Sequence, residues 1–263
     1  MKKCFMLLAA VLLTISMSAA NLTGKRIYVN PGHGSFGKND RPMPTISYPN
    51  LPLTGMPDTC GFYESNTNLQ KAWYLGQKLK SAGATVLHSH TECGPWPYAK
   101  VNGDYPDYTW EDYSARADFE KYNRSLVEIT EEVEANNIDF FISIHSNSAT
   151  DGAITNYPIM LYRGPDDYAS ANAADGLEYV TGSYEKAAAC YTERCKVMQA
   201  GIDVTSNNET VIRGDWSFYG TSSNRTHANG KTYKGYLGVL KHGASGFLSE
   251  GYFHTYQPAR HRA

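Results

Sequence analysis

Apolar runs that stop abruptly at turn residues recur along this 263-residue chain. Lys25 to Asn30, with β-branched Ile27 and Val29 and aromatic Tyr28, predicts a first strand. From Asn66 to Ala82, Leu69, Ala72, Trp73, Leu75 and Leu79 fall near helical spacing, and Gly83 closes the segment. Ala84 to Leu87 reads as a second strand. A helix starting near Trp110, capped by Thr109, and another across Leu126, Ile129 and Val133 lead into a strand from Ile138 to Ile144. Pro158 to Tyr162 predicts an edge strand, because Pro opens it. Ser183 to Gly201 predicts a helix, Asn207 to Lys234 an irregular polar stretch, and Leu237 to Leu240 and Phe247 to Ser249 short strands. Gly34 to Gly61, rich in Pro, Gly and Asn, predicts a long connection without regular structure, and connections of that length are usually functional or disordered. Strands alternating with helices predict a single α/β domain with a central, mostly parallel sheet flanked by helices.

Three apolar runs end on residues with chemistry. Arg26-Ile27-Tyr28-Val29-Asn30-Pro31-Gly32 delivers His33, Phe140 to Ile144 delivers His145, and Gly246-Phe247-Leu248-Ser249 delivers Glu250. Open α/β sheets bind ligands beyond the carboxyl ends of their strands, so the active site is expected there. Zinc in hydrolases takes three His or carboxylate ligands and keeps one position open. His33 and His145 offer two. Glu64, at the start of the first helix, offers a third, although a Glu at a helix start is also common for dipole reasons. A strand-ending His can equally serve by bonding backbone. His33 between glycines fits a close approach of backbone to a ligand, and Glu250 at the end of an apolar run would be costly to bury without a partner. His88 and His90 read as surface or edge residues, and His227, His242 and His254 as loop residues, with His242 or His254 open to lining the groove. Arg213 and Arg225 read as surface residues, with a grip on a peptide-stem carboxylate as the other reading.

The same residues, in the same order, resemble the zinc-dependent N-acetylmuramoyl-L-alanine amidases of the Amidase_3 group. The resemblance rests on Asn30-Pro31-Gly32-His33-Gly34, Glu64 ahead of Asn68-Leu69, Ser143-Ile144-His145-Ser146-Asn147, and Leu248-Ser249-Glu250-Gly251-Tyr252-Phe253. It spans roughly residues 25 to 255, and four motifs in order are far more specific than any one. It implies a single zinc ion held by His33, Glu64 and His145, with Glu250 as the catalytic carboxylate. It also implies hydrolysis of the amide between N-acetylmuramic acid and the L-alanine of the peptidoglycan stem. Three departures stand out. The 35–61 connection is longer than the family's. Glu131-Glu132-Val133-Glu134-Ala135-Asn136 lacks an Arg that the family often carries. The chain stops soon after Glu250, where the family commonly continues with a final helix, so a closing element is expected to be missing or atypical.

Composition narrows the setting. Met1-Lys2-Lys3, the apolar run Cys4 to Met17 and Ser18-Ala19-Ala20 read as a signal peptide over residues 1–20, leaving a catalytic domain over 21–263. The apolar run is short for a membrane span, which needs about 20 residues, so the expectation is an exported protein of the periplasm, cell envelope or exterior. Loss of Lys2 and Lys3 with the leader takes the formal charge from −2 to −4. A mildly acidic chain lacks the footprint for nucleic acid, and the expected partner is peptidoglycan or its muropeptides. Four cysteines remain, and Cys60 with Cys93 is the favoured disulfide in an oxidising compartment. The 20 tyrosines pair an apolar ring with a polar tip, which suits wet, glycan-like ligands as well as ordinary surfaces. Two other functions remain open on the same residues: a different exported zinc hydrolase, acting within the stem peptide or deacetylating glycan, and a non-catalytic wall-binding module.

Overall fold

Strands that are apolar on both faces require a covering layer on each side, and that requirement organises this chain. The computed structural model describes residues 21–33, 43–44, 61–62, 64–91, 124–149, 154–170, 178–200, 212–220 and 223–256. In chain order the elements are β1 (Arg26–Pro31), β2 (Met43–Pro44), β3 (Gly61–Phe62), α1 (Glu64–Ser81), β4 (Thr85–His88), α2 (Leu126–Ala135), β5 (Phe140–Asn147), β6 (Ile159–Tyr162), α3 (Ser183–Ala200), β7 (Ile212–Gly214), α4 (Asp215–Tyr219), β8 (Ser223–Thr226), β9 (Thr232–Gly235) and β10 (Gly246–Phe253). A 3-10 turn covers Gly238–Leu240.

Six strands form one sheet in the order β4-β1-β5-β10-β6-β7. β4, β1, β5 and β10 run parallel. β6 is antiparallel to β10, and β7 parallel to β6. One face carries Tyr28, Phe141, Ile159, Leu161 and Leu248, covered by Ile129 and Val133 of α2 and by Val239 and Leu240 of the 3-10 turn. The other carries Ile27, Val29, Ile142, Ile144, Met160 and Phe247, covered by Ala72 of α1 and Ala187 of α3. This is the expected single α/β domain.

Local chemistry explains the helices that border the site. In α1, Glu64, Asn68 and Ala72 are buried at i+4 spacing, so one row of the helix faces the sheet. Small residues on that row let helix and sheet approach: a side-chain carbon on Gly76 would lie 2.6 Å from the His88 ring. α2 starts with a capping box, in which Ser125 Oγ accepts from Glu128 N at 3.2 Å and Ser125 N donates to Glu128 Oε2 at 2.7 Å, satisfying helix-end groups reciprocally.

Several boundaries differ from expectation. β5 and β10 continue past His145 and Glu250, to Asn147 and Phe253, because polar residues are tolerated where the strand ends open onto a cleft. Pro158 precedes β6 rather than making it an edge: β6 is fully buried between β10 and β7. The stretch read as irregular holds β7, α4 and the β8–β9 hairpin, and Leu237–Leu240 forms a 3-10 turn rather than a strand. Met43–Pro44 of the long connection pairs with Gly61–Phe62. Arg225 is not a free surface cation; its Nη1 donates to Leu126 O, Thr130 Oγ1 and Gly238 O, joining α2 to the 3-10 turn. The leader, the helix near Trp110, the Cys60–Cys93 pair and the last seven residues lie outside the described residues.

His242 is buried at the root of β10, its ring 4.4 Å from that of Phe141. Burial, with the Arg163 guanidinium nearby, pushes it down from 6.5 to about 3. Between these values the unfolded chain binds the proton and the folded chain does not, so stability falls as pH drops from about 6.5 towards 3. Urea unfolding at stepped pH should therefore show a shallower acid loss in His242→Gln than in the wild type; equal slopes would remove His242 as the source.

Candidate metal centre

The centre is assembled from three separate elements. His33 lies in the turn after β1, Glu64 is the first residue of α1, and His145 lies in β5. One ligand atom from each lies within 4.8 Å of the others. Glu64 Oε2 is 3.2 Å from His33 Nε2, and Glu64 Oε1 is 3.4 Å from His145 Nδ1. The two imidazoles meet edge to face, ring centroids 5.1 Å apart.

Backbone geometry holds each group. Gly32 N donates to Ile144 O at 2.8 Å, and a side-chain carbon on Gly32 would sit 2.2 Å from the His145 ring. Only glycine lets that imidazole lie across the β1 turn. His33 itself adopts φ 67°, a left-handed conformation that costs a side-chain-bearing residue roughly 1–2 kcal/mol and aims the ring back over the strand ends. Glu64 is 1% exposed. Its Oε1 accepts from Ser146 N at 2.8 Å and from Asn68 Nδ2 at 3.4 Å. Burial alone would raise its carboxyl pKa, but the contacts with His145 and His33 outweigh burial and hold it far below the usual carboxylate range. Glu64 is therefore an anion inside the protein.

These residues fit a divalent cation. Glu64 Oε2 is buried and, although close to His33 Nε2, accepts no hydrogen bond of good geometry. An ionised oxygen in that state needs a positive neighbour. Tetrahedral ligands about 2.1 Å from a zinc ion lie roughly 3.4 Å apart, close to the 3.2 Å between Glu64 Oε2 and His33 Nε2. A set of two nitrogens and one oxygen leaves one position open, as hydrolytic zinc requires. No other His, Cys, Asp or Glu grouping of this kind occurs among the described residues.

Glu250 stands beside the trio. In β10 it is in register with His145 of the parallel strand β5, so the two side chains leave the same face at the same level. Glu250 is half-buried, and the ladder shifts register between Glu250 and Phe253, an irregularity of the kind that re-aims side chains near active sites. His33 and His145 also line a cavity of about 240 Å³, walled by Ile129, Leu237, Val239 and Leu248 and reached by Arg124 and His90. His90 is thus a buried wall of this cavity rather than a surface residue. His254, read as a loop residue, is 1% exposed, with Nδ1 3.1 Å from Ser146 Oγ and 4.0 Å from Glu64 Oε2. No periodicity announces His254, because it follows the register shift in β10. Arg213 lies away from the trio, on Asp166 at 2.8 Å.

A family model described as N-acetylmuramoyl-L-alanine amidase matches residues 27–209, well over half of the chain. The chain belongs to the N-acetylmuramoyl-L-alanine amidase family. It is accordingly a peptidoglycan hydrolase that cuts the linear amide between N-acetylmuramic acid and L-alanine. The matched stretch contains His33, Glu64 and His145 and ends before Glu250. Among solved structures, the chain is similar to N-acetylmuramoyl-L-alanine amidase AmiC2 of Nostoc punctiforme, at 16% identity and a TM-score of 0.47, over 91% of this chain and 86% of that one. It is similar to the CwlD amidase from Clostridioides difficile, solved with the GerS lipoprotein, at 19% identity and 0.47, over 90% and 86%. Ami1 from Mycobacterium abscessus aligns at 13% identity and 0.47, over 88% and 84%. Identities this low say nothing of substrate. No curated protein matches.

Gly32→Ala should displace the His145 ring. Isothermal titration with zinc is expected to show at least about tenfold weaker binding, the scale of a disturbed ligand shell, while the far-ultraviolet circular dichroism stays native. Unchanged affinity would mean that the turn yields freely.

Proposed function

We propose that the amidase is a zinc enzyme in which His33, Glu64 and His145 hold one ion and Glu250 is the catalytic carboxylate. The observation that carries this reading is the convergence of two imidazole nitrogens and a buried anionic oxygen, from three distant segments, within 4.8 Å. When bound, zinc supplies Lewis-acid polarisation of the scissile carbonyl and lowers the pKa of a water molecule. The chain supplies the rest. Ser146 N and Asn68 hold one oxygen of Glu64, fixing the direction of the other. Gly32 lets His145 lie close over the β1 turn. Glu250, level with His145, takes the proton from the attacking water as oxygen joins the lactyl carbonyl carbon. It then delivers that proton to the alanine nitrogen as the carbon–nitrogen bond breaks.

The natural setting is the cell wall, reached by export on a leader spanning residues 1–20. That leader is supported by its basic start, apolar run and small residues at 18–20. No helix among the described residues is long and apolar enough to cross a membrane. Peptidoglycan and its muropeptides are the partners this reading requires.

Digestion of purified sacculi should release whole stem peptides with a free L-alanine amine and leave the glycan strands intact, as read by mass spectrometry. Internal stem-peptide cuts would indicate a peptidase, deacetylated sugars a deacetylase, and binding without product a wall-binding module. The wild type should contain one zinc per chain and lose turnover on chelation. Glu250→Ala should keep its zinc and lose roughly 10²–10⁴-fold in kcat, the scale of a general acid–base group. Full activity in that variant would remove Glu250 from the mechanism.

A further inference from the structure

Beyond the stretch matched to the family, α4 and the β9 end carry a strip of exposed rings. Phe218, Tyr219 and Tyr236 are 39%, 38% and 42% exposed. Tyr219 and Tyr236 stack at 4.0 Å with 13° between their planes, and Phe218 meets Tyr219 edge to face at 4.9 Å. Cations flank the strip: Lys234 Nζ lies 4.4 Å from the Trp216 ring centre, and the Arg213 guanidinium carbon 5.7 Å from that of Phe218. Large aromatic rings gathered in water on a five-residue helix and a hairpin end are a cost to the folded state unless they bind something.

The strip is also held rigid. Asp215 is fully buried, and its Oδ2 accepts from Tyr236 N and Leu237 N, each at 2.8 Å, while Oδ1 accepts from Gly164 N at 3.0 Å. One carboxylate therefore clamps the backbone that carries Tyr236 to the start of the helix that carries Tyr219. The strip borders the cavity along the chain, since Leu237, the residue after Tyr236, is a wall of the cavity that His33 and His145 line.

We propose that Tyr219, Tyr236 and Phe218 form a glycan subsite that receives sugar rings of the wall strand adjoining the muramoyl residue being cut. The inference rests on the amidase reading and adds where the polysaccharide lies. Rigid aromatic faces match the apolar faces of pyranose rings, and phenolic hydroxyls with flanking Lys234 and Arg213 match their hydroxyl and acetamido oxygens. Preorganised rings bind with little ordering cost. A strip built of aromatic rings and cations rather than aliphatic side chains does not offer a groove for an apolar helix.

The test uses the full chain and a peptide-free oligosaccharide of alternating N-acetylglucosamine and N-acetylmuramic acid, titrated by calorimetry. Wild type should bind, and Tyr219→Ala/Tyr236→Ala should bind about tenfold more weakly, the loss expected for one or two ring stackings. Tyr236→Phe, which keeps the ring, should retain most of the affinity. The double variant should also show a raised KM on glycan-strand substrate with unchanged kcat on a single-sugar muramoyl peptide. No binding by the wild type, equal binding by the double variant, or equal loss on both substrates would overturn the subsite. Oligosaccharide binding by a wild type that cleaves neither substrate would instead overturn the amidase reading and leave the strip standing.

Discussion

A carboxylate buried at the start of a helix, charged and facing two imidazoles, is the constraint around which this molecule is arranged. An anion in the interior is tolerated only where positive or donating groups surround it, and Glu64 gathers them from every side: Ser146 N from β5, Asn68 from its own helix, and the rings of His33 and His145. The requirement reaches outward. α1 must lie close to the strand ends, so its sheet-facing row runs Glu64, Asn68, Ala72 and Gly76. The turn after β1 must admit an imidazole, so it contains Gly32.

The sheet supplies the second kind of precision. Parallel register places Glu250 opposite His145, setting a carboxylate and an imidazole at one level. Backbone ladders are rigid and extend through a core packed on both faces, so their spacing is insensitive to side-chain motion. The polar groups themselves come from strand ends and loops, where backbone can depart from regular geometry. His33 with its left-handed backbone and the register shift after Glu250 are the two clearest departures.

A second buried carboxylate performs a related task away from the centre. Asp215 binds backbone amides instead of imidazoles, and burial raises its pKa even though those amides oppose the shift. Glu64 organises side chains that can hold an ion, whereas Asp215 organises a loop. Through Leu237 that loop joins the cavity wall to the aromatic strip, which ties the least regular part of the chain to the same cleft.

Much of this architecture was legible before any coordinates. Apolar runs of strand length and helical spacing located β1, α1, β4, α2, β5, β6 and α3 to within a few residues, because burial on two sheet faces leaves a direct imprint on residue type. His33, His145 and Glu250 were legible because each ends an apolar run, whereas Glu64, one helix-start carboxylate among many, stood out only through the order of motifs shared with a known family. His90 and the Asp215 clamp were not legible, since their surroundings come from residues far away in the chain and no local period records such contacts. The edge assignment of β6 failed for the same reason: a Pro before a strand constrains its own backbone, not its neighbours. Residue order alone determined which segments are strands and helices and which polar groups stand at their ends. Only the tertiary structure decided which of those groups meet, because strand order, register and the path of each turn depend on how every element packs at once.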